Sequence, residues 1–256
     1  MIEIKNISKS FDGRQVLDNV SGIFKKGETS LVIGASGTGK SVLLKCMLDL
    51  VRPETGATLY DGRDFYIGEE DDKKDIRREM GVLFQGGALF DSKTVHQNIQ
   101  FPLDMLTTMG EGEKKDRVEF CLHRVGLDGT GSRMPSEISG GMKKRVGIAR
   151  AIVMNPKYLF CDEPNSGLDP LTSIKIDELI KEITDEFNIT TVVITHDMNS
   201  VLSIGDYIMF LYKGKKVWEG NSQTILGETV PELEEFVFCN KALSLMRAKG
   251  GTNKKA

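Results

Sequence analysis

The sequence lacks three features that would assign it to particular classes of protein. No apolar run approaches the roughly 20 residues that span a bilayer, and the first residues, MIEIKNISKSFDG, contain no apolar signal core. Nor is there a basic excess, since 34 Lys and Arg stand against 37 Asp and Glu. A dedicated nucleic-acid binder usually shows such an excess. We therefore expect a soluble chain without a nucleic-acid partner, whose membrane role depends on another protein.

Cysteine is sparse, and the cysteines do not form a C-x-x-C pair. The four are Cys46, Cys121, Cys161 and Cys239. This spacing argues against a disulfide framework or a zinc site and is compatible with a reducing cytoplasm. Because a free cysteine behaves as a small hydrophobic residue, we predict that each of the four is buried.

The 256 residues, 39% of them hydrophobic, suffice for one large α/β domain with a smaller subdomain. Short strands and turns are predicted over residues 1–33, and from residue 156 strands and helices alternate, as in a largely parallel sheet. Helices with charged segments are predicted in between. We therefore predict an α/β core with an antiparallel β subdomain (residues 1–85 and 156–228), an inserted helical subdomain (86–155) and a C-terminal helix and tail (229–256).

A phosphate-binding loop is predicted at residues 34–41, GASGTGKS, which follow the apolar strand SLVI and open a helix. Its members are Gly34, Ala35, Ser36, Gly37, Thr38, Gly39, Lys40 and Ser41. Glycines let the backbone wrap around phosphates, and the helix N-terminus adds positive potential. Lys40 would bridge the β- and γ-phosphates of ATP, and the Ser41 hydroxyl would ligate Mg²⁺. The alternative, a glycine-rich turn with an incidental lysine, does not explain the flanking strand and helix.

An acidic pair, Asp162 and Glu163, ends the apolar strand YLFC. Asp162 suits Mg²⁺ because hard cations prefer oxygen ligands. Glu163 suits a general base or a residue that orients the attacking water. The alternative is that the two carboxylates merely cap the next helix.

A second anion site is predicted at Ser139, Gly140 and Gly141, where a serine cap and adjacent glycines begin a helix. Two anion sites far apart in one chain indicate a nucleotide held between two subunits. Taken alone, this segment would fit an ordinary N-capped helix better than an anion site.

The motifs GASGTGKS, FQ, ISGGM, YLFCDEP, SGLDP and ITHD occur in this order up to about residue 220. Together they resemble the ABC-type ATPase family, which implies a RecA-like P-loop fold, bound ATP and Mg²⁺, and a homodimer beneath a membrane permease. The resemblance implies that Phe11 stacks on adenine and that Gln85 senses Mg²⁺ and the lytic water. It also implies that Asp169 lies in the dimer loop and that His196 holds the γ-phosphate. Ser139, Gly140 and Gly141 would contact the ATP of the opposite subunit.

Residues 85–92, QGGALFDS, resemble the coupling loop of ATPases from Mla/Mce-type phospholipid transporters. That resemblance implies lipid transport at the cytoplasmic face of the inner membrane, with a permease, an MCE-domain protein and a small STAS-domain protein as partners. Leu89 and Phe90 would anchor a permease helix, although spacing alone leaves open that they are core residues. Asn165 departs from the family, which usually has Thr or Ser there, and puts the geometry of the dimer loop in question.

Three other functions are compatible with a phosphate-binding loop and are alternatives to lipid transport. An importer ATPase for amino acids or another small solute is the nearest, and QGGALFDS argues against it. A soluble ABC-fold ATPase of DNA repair or translation usually has two cassettes, coiled-coil insertions, zinc or basic arms, and none is visible. A P-loop kinase would not explain the ISGGM helix.

The C-terminal segment after Pro231 has an amphipathic pattern. Its apolar positions are Leu233, Phe236, Val237, Leu243 and Met246. Such a face either covers its own domain or docks on a second subunit or accessory protein, and the sequence leaves both open.

Overall fold

The structure is a computed structural model and describes residues 1–239. Its strands are β1 (Ile2–Phe11), β2 (Arg14–Phe24), β3 (Thr29–Ile33), β4 (Thr55–Tyr60), β5 (Arg63–Asp64), β6 (Met80–Leu83), β7 (Tyr158–Asp162), β8 (Thr190–Ile194), β9 (Tyr207–Tyr212) and β10 (Lys215–Gly220). Its helices are α1 (Lys40–Met47), α2 (Glu70–Arg78), α3 (Val95–Leu106), α4 (Glu111–Arg124), α5 (Gly140–Ile152), α6 (Pro170–Phe187), α7 (Met198–Ile204) and α8 (Pro231–Phe238).

The central sheet has the strand order β10-β9-β3-β8-β7-β6, and the pairs from β9 to β6 are parallel. Strands β3 and β8 are buried at every position because helices cover both faces of a parallel sheet. This explains their unbroken apolar and β-branched sequences. The carboxyl ends of all the parallel strands therefore lie along one side of this sheet, and this side is called its edge below.

A second sheet, of order β2-β1-β4-β5, is antiparallel and packs against the central one. Its turn at Asp61 and Gly62 joins β4 to β5, as the sequence predicts. The two sheets share an apolar cluster that includes Tyr60, Phe65 and Tyr158, whose rings meet edge to face. The predicted combination of an α/β core with an antiparallel sheet is therefore present.

Helices α3, α4 and α5 follow β6 and precede β7, and α5 packs on both other helices and on β6. Thr94 caps α3 in a capping box, in which it accepts a hydrogen bond from the Gln97 backbone N–H and the Gln97 side chain accepts one from the Thr94 backbone N–H. These helices bury their apolar faces in one cluster with the β3, β7 and β8 side chains. They are therefore held firmly beside the edge where the parallel strands end.

Helix α1 ends at Met47, shortly before left-handed Asp49 turns the chain. Residues 70–78 form α2, whose three acidic residues in the first turn and two arginines in the last suit the helix dipole. One sequence prediction needs correction. Cys46, Cys121 and Cys161 are buried, but the prediction is wrong for Cys239, which is exposed at the end of α8. No helix among residues 1–239 is long and apolar enough to cross a membrane.

Candidate functional site

The predicted catalytic segments follow neighbouring parallel strands and therefore lie at one edge of the central sheet. The phosphate-binding loop follows β3, His196 comes shortly after β8, Asp162 ends β7, and Gln85 follows β6. Register supports this juxtaposition, since Leu83 pairs with Cys161 and Asp162 with Ile194. In open parallel sheets, ligands bind outside the carboxyl ends of the strands.

The phosphate-binding loop wraps around the Lys40 side chain. Its ammonium donates to the Gly34 carbonyl at 2.8 Å and to the Ala35 carbonyl at 2.9 Å. Burial lowers the pKa of Lys40, while Glu163 and Asp162 act in the opposite direction. Gly34 has φ of 146°, and a Cβ there would lie 2.3 Å from the Leu211 carbonyl oxygen, so glycine is required.

The Asp162 carboxylate lies where a cation ligand is expected. One of its oxygens, Oδ1, is buried without a hydrogen-bond partner, and the Ser41 hydroxyl acts to lower the pKa of the carboxyl group. Burial and the neighbouring Glu163 raise the pKa of Asp162. A cation would satisfy the orphaned oxygen and favour the ionised form. Mg²⁺ is usually held by one or two carboxylates, waters and substrate phosphates, so Asp162 and Ser41 fit it.

Glu163 and His196 are in direct contact. Nδ1 of His196 lies 2.9 Å from the Glu163 carboxylate. The Glu163 backbone is left-handed, with φ of 49°, and its N–H donates to the Ile194 carbonyl at 2.9 Å. The strained turn directs the carboxylate toward the cleft beside His196, which Asp197 and Thr195 also line.

A cleft beside the phosphate-binding loop fits the adenine side of a nucleotide. Phe11 is 43% exposed and lines this cleft with Ser36, Gly37 and Lys213. The cleft measures about 580 Å³. An exposed aromatic ring at this place can stack on a planar base.

The Gln85 loop is fixed to the helices around it. Gly86, Gly87 and Ala88 are all left-handed, and Arg150 of α5 donates to the carbonyls of Gly87 at 2.7 Å and Ala88 at 2.8 Å. The loop lies directly on α5, since a Cβ on Gly147 would lie 3.6 Å from the Gly87 Cα and carbonyl oxygen. The Gln85 side chain is exposed, and within residues 1–239 it forms no hydrogen bond with Asp162.

Ser139, Gly140 and Gly141 begin α5, and the Ser139 hydroxyl accepts a hydrogen bond from the Met142 N–H at 3.3 Å. Among residues 1–239 these three form no hydrogen bond with the phosphate-binding loop of their own chain. They lie instead against the segment of Leu168 and Thr172. Asp169 caps α6 through Thr172, which lowers the pKa of its carboxyl group. The second predicted anion site is therefore separate from the first.

Sequence reasoning missed Lys144 and the hydrogen bonds of Asn165, two polar groups behind the catalytic turn. Lys144 of α5 is 4% exposed and reaches the Glu163 carbonyl and the Ser166 hydroxyl. Asn165 donates to Asp177 at 2.8 Å and to Ser200 at 3.0 Å. Lys144 could have been noticed, because it shares a helix face with Gly147, Ile148 and Ala151, which are apolar and buried.

A phosphate-binding loop, an acidic strand end and a histidine on one sheet edge define a P-loop ATPase. The sequence pattern of the family described as ABC transporter matches residues 17–166. A solved dimeric ATP-binding cassette, in a post-hydrolysis state with ADP and Pi, aligns with a TM-score of 0.79 and 32% identity over 87% of this chain and 99% of that one. The chain belongs to the ABC transporter family, as its ATP-binding and ATP-hydrolysing subunit, and the predicted fold class is confirmed.

Three curated relatives show how far the similarity extends. The probable ribonucleotide transport ATP-binding protein mkl of Mycobacterium leprae is 39% identical over 92% of this chain and 68% of its own length. The intermembrane phospholipid transport system ATP-binding protein MlaF of Haemophilus influenzae is 38% identical over 88% of this chain and 86% of its own. The methionine import ATP-binding protein MetN of Carboxydothermus hydrogenoformans is 42% identical over 93% and 71%.

Proposed function

We propose that this subunit powers phospholipid transport between the inner and outer membranes, bound as a homodimer to a membrane permease at the cytoplasmic face of the inner membrane. The observation that carries the proposal is the loop QGGALFDS at residues 85–92, which resembles the phospholipid-transporter version and borders an apolar groove. The similarity to a phospholipid transport ATPase over 86% of that protein's length supports it. An MCE-domain protein and a small STAS-domain protein are the further partners proposed.

The groove beside this loop has the chemistry that an apolar permease helix requires. It measures about 320 Å³, and its lining includes Phe84, Phe90, Phe101, Leu106, Arg150 and Met154. Phe90 is 39% exposed and Leu106 is 45% exposed, so both offer apolar surface to a partner. Leu89 instead packs against the core, so we assign the proposed permease contact to Phe90 alone.

The groove wall is stiff, as a surface that transmits force requires. Asn98 is fully buried; its Oδ1 accepts from the Phe90 N–H at 2.8 Å, and its Nδ2 donates to the carbonyls of Phe90, Lys93 and Thr94. Arg150 holds the preceding carbonyls from α5. The loop is therefore fixed to α3 and to α5, and a movement of the permease helix is passed to both.

The chemistry proposed for the site follows from its geometry. Lys40 and the loop amides bind the ATP phosphates, and Phe11 stacks on adenine. Mg²⁺, held by Asp162, Ser41 and Gln85, would offset charge on the β- and γ-phosphate oxygens. Glu163 orients and deprotonates the attacking water, and His196 holds the γ-phosphate. Ser139, Gly140 and Gly141 complete the site of the partner subunit, beside its Asp169-bearing dimer loop.

Docking can be tested with Phe90→Asp, which places a charge in the groove. The full-length variant should bind ATP normally but no longer co-purify with a permease from detergent-solubilised membranes. Ile67→Asp is the matched control, because Ile67 is 81% exposed and lies outside the groove. Undiminished co-purification of the Phe90→Asp chain would rule out the groove as the docking site.

A small-solute importer is the second candidate, because the methionine import relative is 42% identical to this chain. Cells in which the gene carries Lys40→Ala separate the two functions. Phospholipid transport predicts a weakened barrier to detergents with solute uptake unchanged. An intact barrier together with lost uptake of methionine would replace the proposal by the importer.

A further inference from the structure

Lys144 places a charged group at the centre of the catalytic domain. Its side chain is 4% exposed, and its ammonium donates to the Glu163 carbonyl at 3.2 Å and to the Ser166 hydroxyl at 3.3 Å. Both partners are neutral oxygens. Burial lowers the pKa of Lys144, because desolvation outweighs the nearby acidic groups. Fold stability alone does not explain a buried ammonium, since an apolar side chain of similar length would avoid the desolvation cost.

The two oxygens that Lys144 binds belong to the turn that aims the catalytic carboxylate. Glu163 is left-handed, a conformation that costs free energy and persists only where its surroundings enforce it. Its N–H is fixed by Ile194 of β8, and its carbonyl accepts hydrogen bonds from both the Ser166 N–H and Lys144. The α5 side of this turn is therefore held by one long side chain.

Helix α5 also carries the anion site at its N-terminus. Lys144 lies five residues after Ser139, which is about 7.5 Å along an α-helix. The capping serine and Lys144 consequently move as parts of one rigid element. Among residues 1–239 the N-terminus of α5 forms no hydrogen bond with its own phosphate-binding loop, whereas Lys144 binds its own catalytic turn.

We propose that Lys144 is a positioning residue: from helix α5 it holds the turn that aims Glu163 at the ATP of its own subunit, while the N-terminus of the same helix completes the site of the partner subunit. This inference rests on the proposed function, in which Ser139, Gly140 and Gly141 complete the partner's site. Lys144 acts through Glu163 and Ser166 and does not touch the nucleotide.

The first test compares full-length Lys144→Met, Lys144→Arg and Lys143→Met chains. Lys144→Met keeps the length of the side chain and removes its hydrogen bonds, and half-buried Lys143 is the neighbouring control. For Lys144→Met we expect kcat to fall at least about tenfold, with an unchanged KM for ATP and an unchanged melting temperature, because slight misplacement of a reacting group is costly. Lys144→Arg should recover most of the turnover. Normal turnover in Lys144→Met, or a loss that follows the melting temperature, overturns the proposal.

Mixed dimers, purified through two different tags, show on which site Lys144 acts. In a Lys144→Met/Ser139→Arg dimer both lesions fall on one site, so turnover should return at about half the wild-type value if Lys144 serves its own Glu163. A Lys144→Met/Lys40→Ala dimer should then remain inactive. The reverse result would mean that Lys144 only supports the partner's site, and it overturns the proposal.

The Glu163→Gln chain separates this inference from the proposed function. A Glu163→Gln chain that still hydrolyses ATP contradicts the catalytic role of Glu163 itself. An inactive Glu163→Gln chain beside a fully active Lys144→Met chain contradicts only the role of Lys144.

Discussion

Nδ1 of His196 lies 2.9 Å from the Glu163 carboxylate, although the two residues follow different strands, β8 and β7. The parallel register of these strands brings their ends together before a nucleotide is bound. An imidazole ring that contacts the carboxylate through Nδ1 presents Nε2 to the cleft. Glu163 and His196 therefore form one preorganised unit, in which the histidine restrains the carboxylate and can bind a phosphate oxygen with its other nitrogen.

Glu163→Gln should bind ATP but lose hydrolysis by about 10²-fold or more, because a positioned general base contributes 10²–10⁴. The variant should accumulate as an ATP-bound dimer, measurable by light scattering. The control is Glu119→Gln, at an exposed position on α4, and this variant should turn over ATP normally. Near-normal turnover of Glu163→Gln in the purified transporter complex would exclude this role.

Sharing of the ATP sites predicts complementation between two inactive chains. In a Ser139→Arg/Lys40→Ala dimer, one site carries both lesions and the other carries neither, so partial turnover should return. The physical reason is that Lys40 binds the ATP of its own chain, whereas Ser139 is proposed to complete the ATP site of the other chain. Each homodimer is the control and should stay inactive. Turnover that does not depend on subunit association would contradict the shared arrangement.

The sequence predicted the part of the site whose chemistry is encoded in local motifs. Residues 34–41 carry their glycines, lysine and serine in one short segment, and a strand that ends in Asp162 and Glu163 needs no distant partner to be recognised. Motif order then indicated the family, which the comparisons confirm. The family could be predicted because each motif rests on neighbours in the chain, whereas the roles of the individual site residues stay predictions.

What the sequence could not predict depends on contacts between distant segments. The helical spacing of Lys144 indicates that it is buried, but only the packing of α5 on the catalytic turn shows that its ammonium binds Glu163 and Ser166. Arg150 likewise gains its role from two carbonyls more than 60 residues away in the chain. The exposure of Cys239 reflects its place at the end of α8, which composition does not specify.

Asp177 should make stability depend on pH. It is 3% exposed, and burial raises the pKa of its carboxyl group to about 6, against the hydrogen bonds from Ser200 and Asn165. Because the folded chain then binds the proton more tightly than the unfolded chain, stability should fall as the pH rises from about 4 to 6 and level off above that range. Protonated Asp177 therefore stabilises the folded chain at low pH, relative to neutral pH, by about 2–3 kcal/mol, at 1.36 kcal/mol per pKa unit.

The measurement is the free energy of unfolding in urea for wild type and Asp177→Asn across this pH range. The wild-type value minus the variant value should decrease from pH 4 to pH 6, since asparagine does not titrate. Glu119→Gln, at an exposed position on α4, should leave the profile unchanged. Parallel profiles for wild type and Asp177→Asn would contradict the raised pKa.

Helix α8 covers its own domain in the described part of the chain. Leu233 is 1% exposed and Val237 is fully buried, and the Phe236 ring centroid lies 5.4 Å from that of Phe210. Of the two fates open to the predicted amphipathic helix, residues 231–239 follow the first. Leu243 and Met246, placed on the same predicted face, lie outside the described residues.

Leu233→Ala should therefore destabilise the monomer and leave any subunit interface intact. A buried Leu→Ala substitution costs about 2–5 kcal/mol, which lowers the melting temperature of a chain of this size by roughly 5–15 °C. Exposed Glu235→Ala should shift it by less than about 2 °C. Two truncations, after Thr229 and after Cys239, divide the segment: the first removes the buried side chains and should unfold or aggregate the chain, and the second retains them. A chain truncated after Thr229 that melts at the wild-type temperature, and loses only self-association in light scattering, would show that α8 belongs to the dimer interface instead.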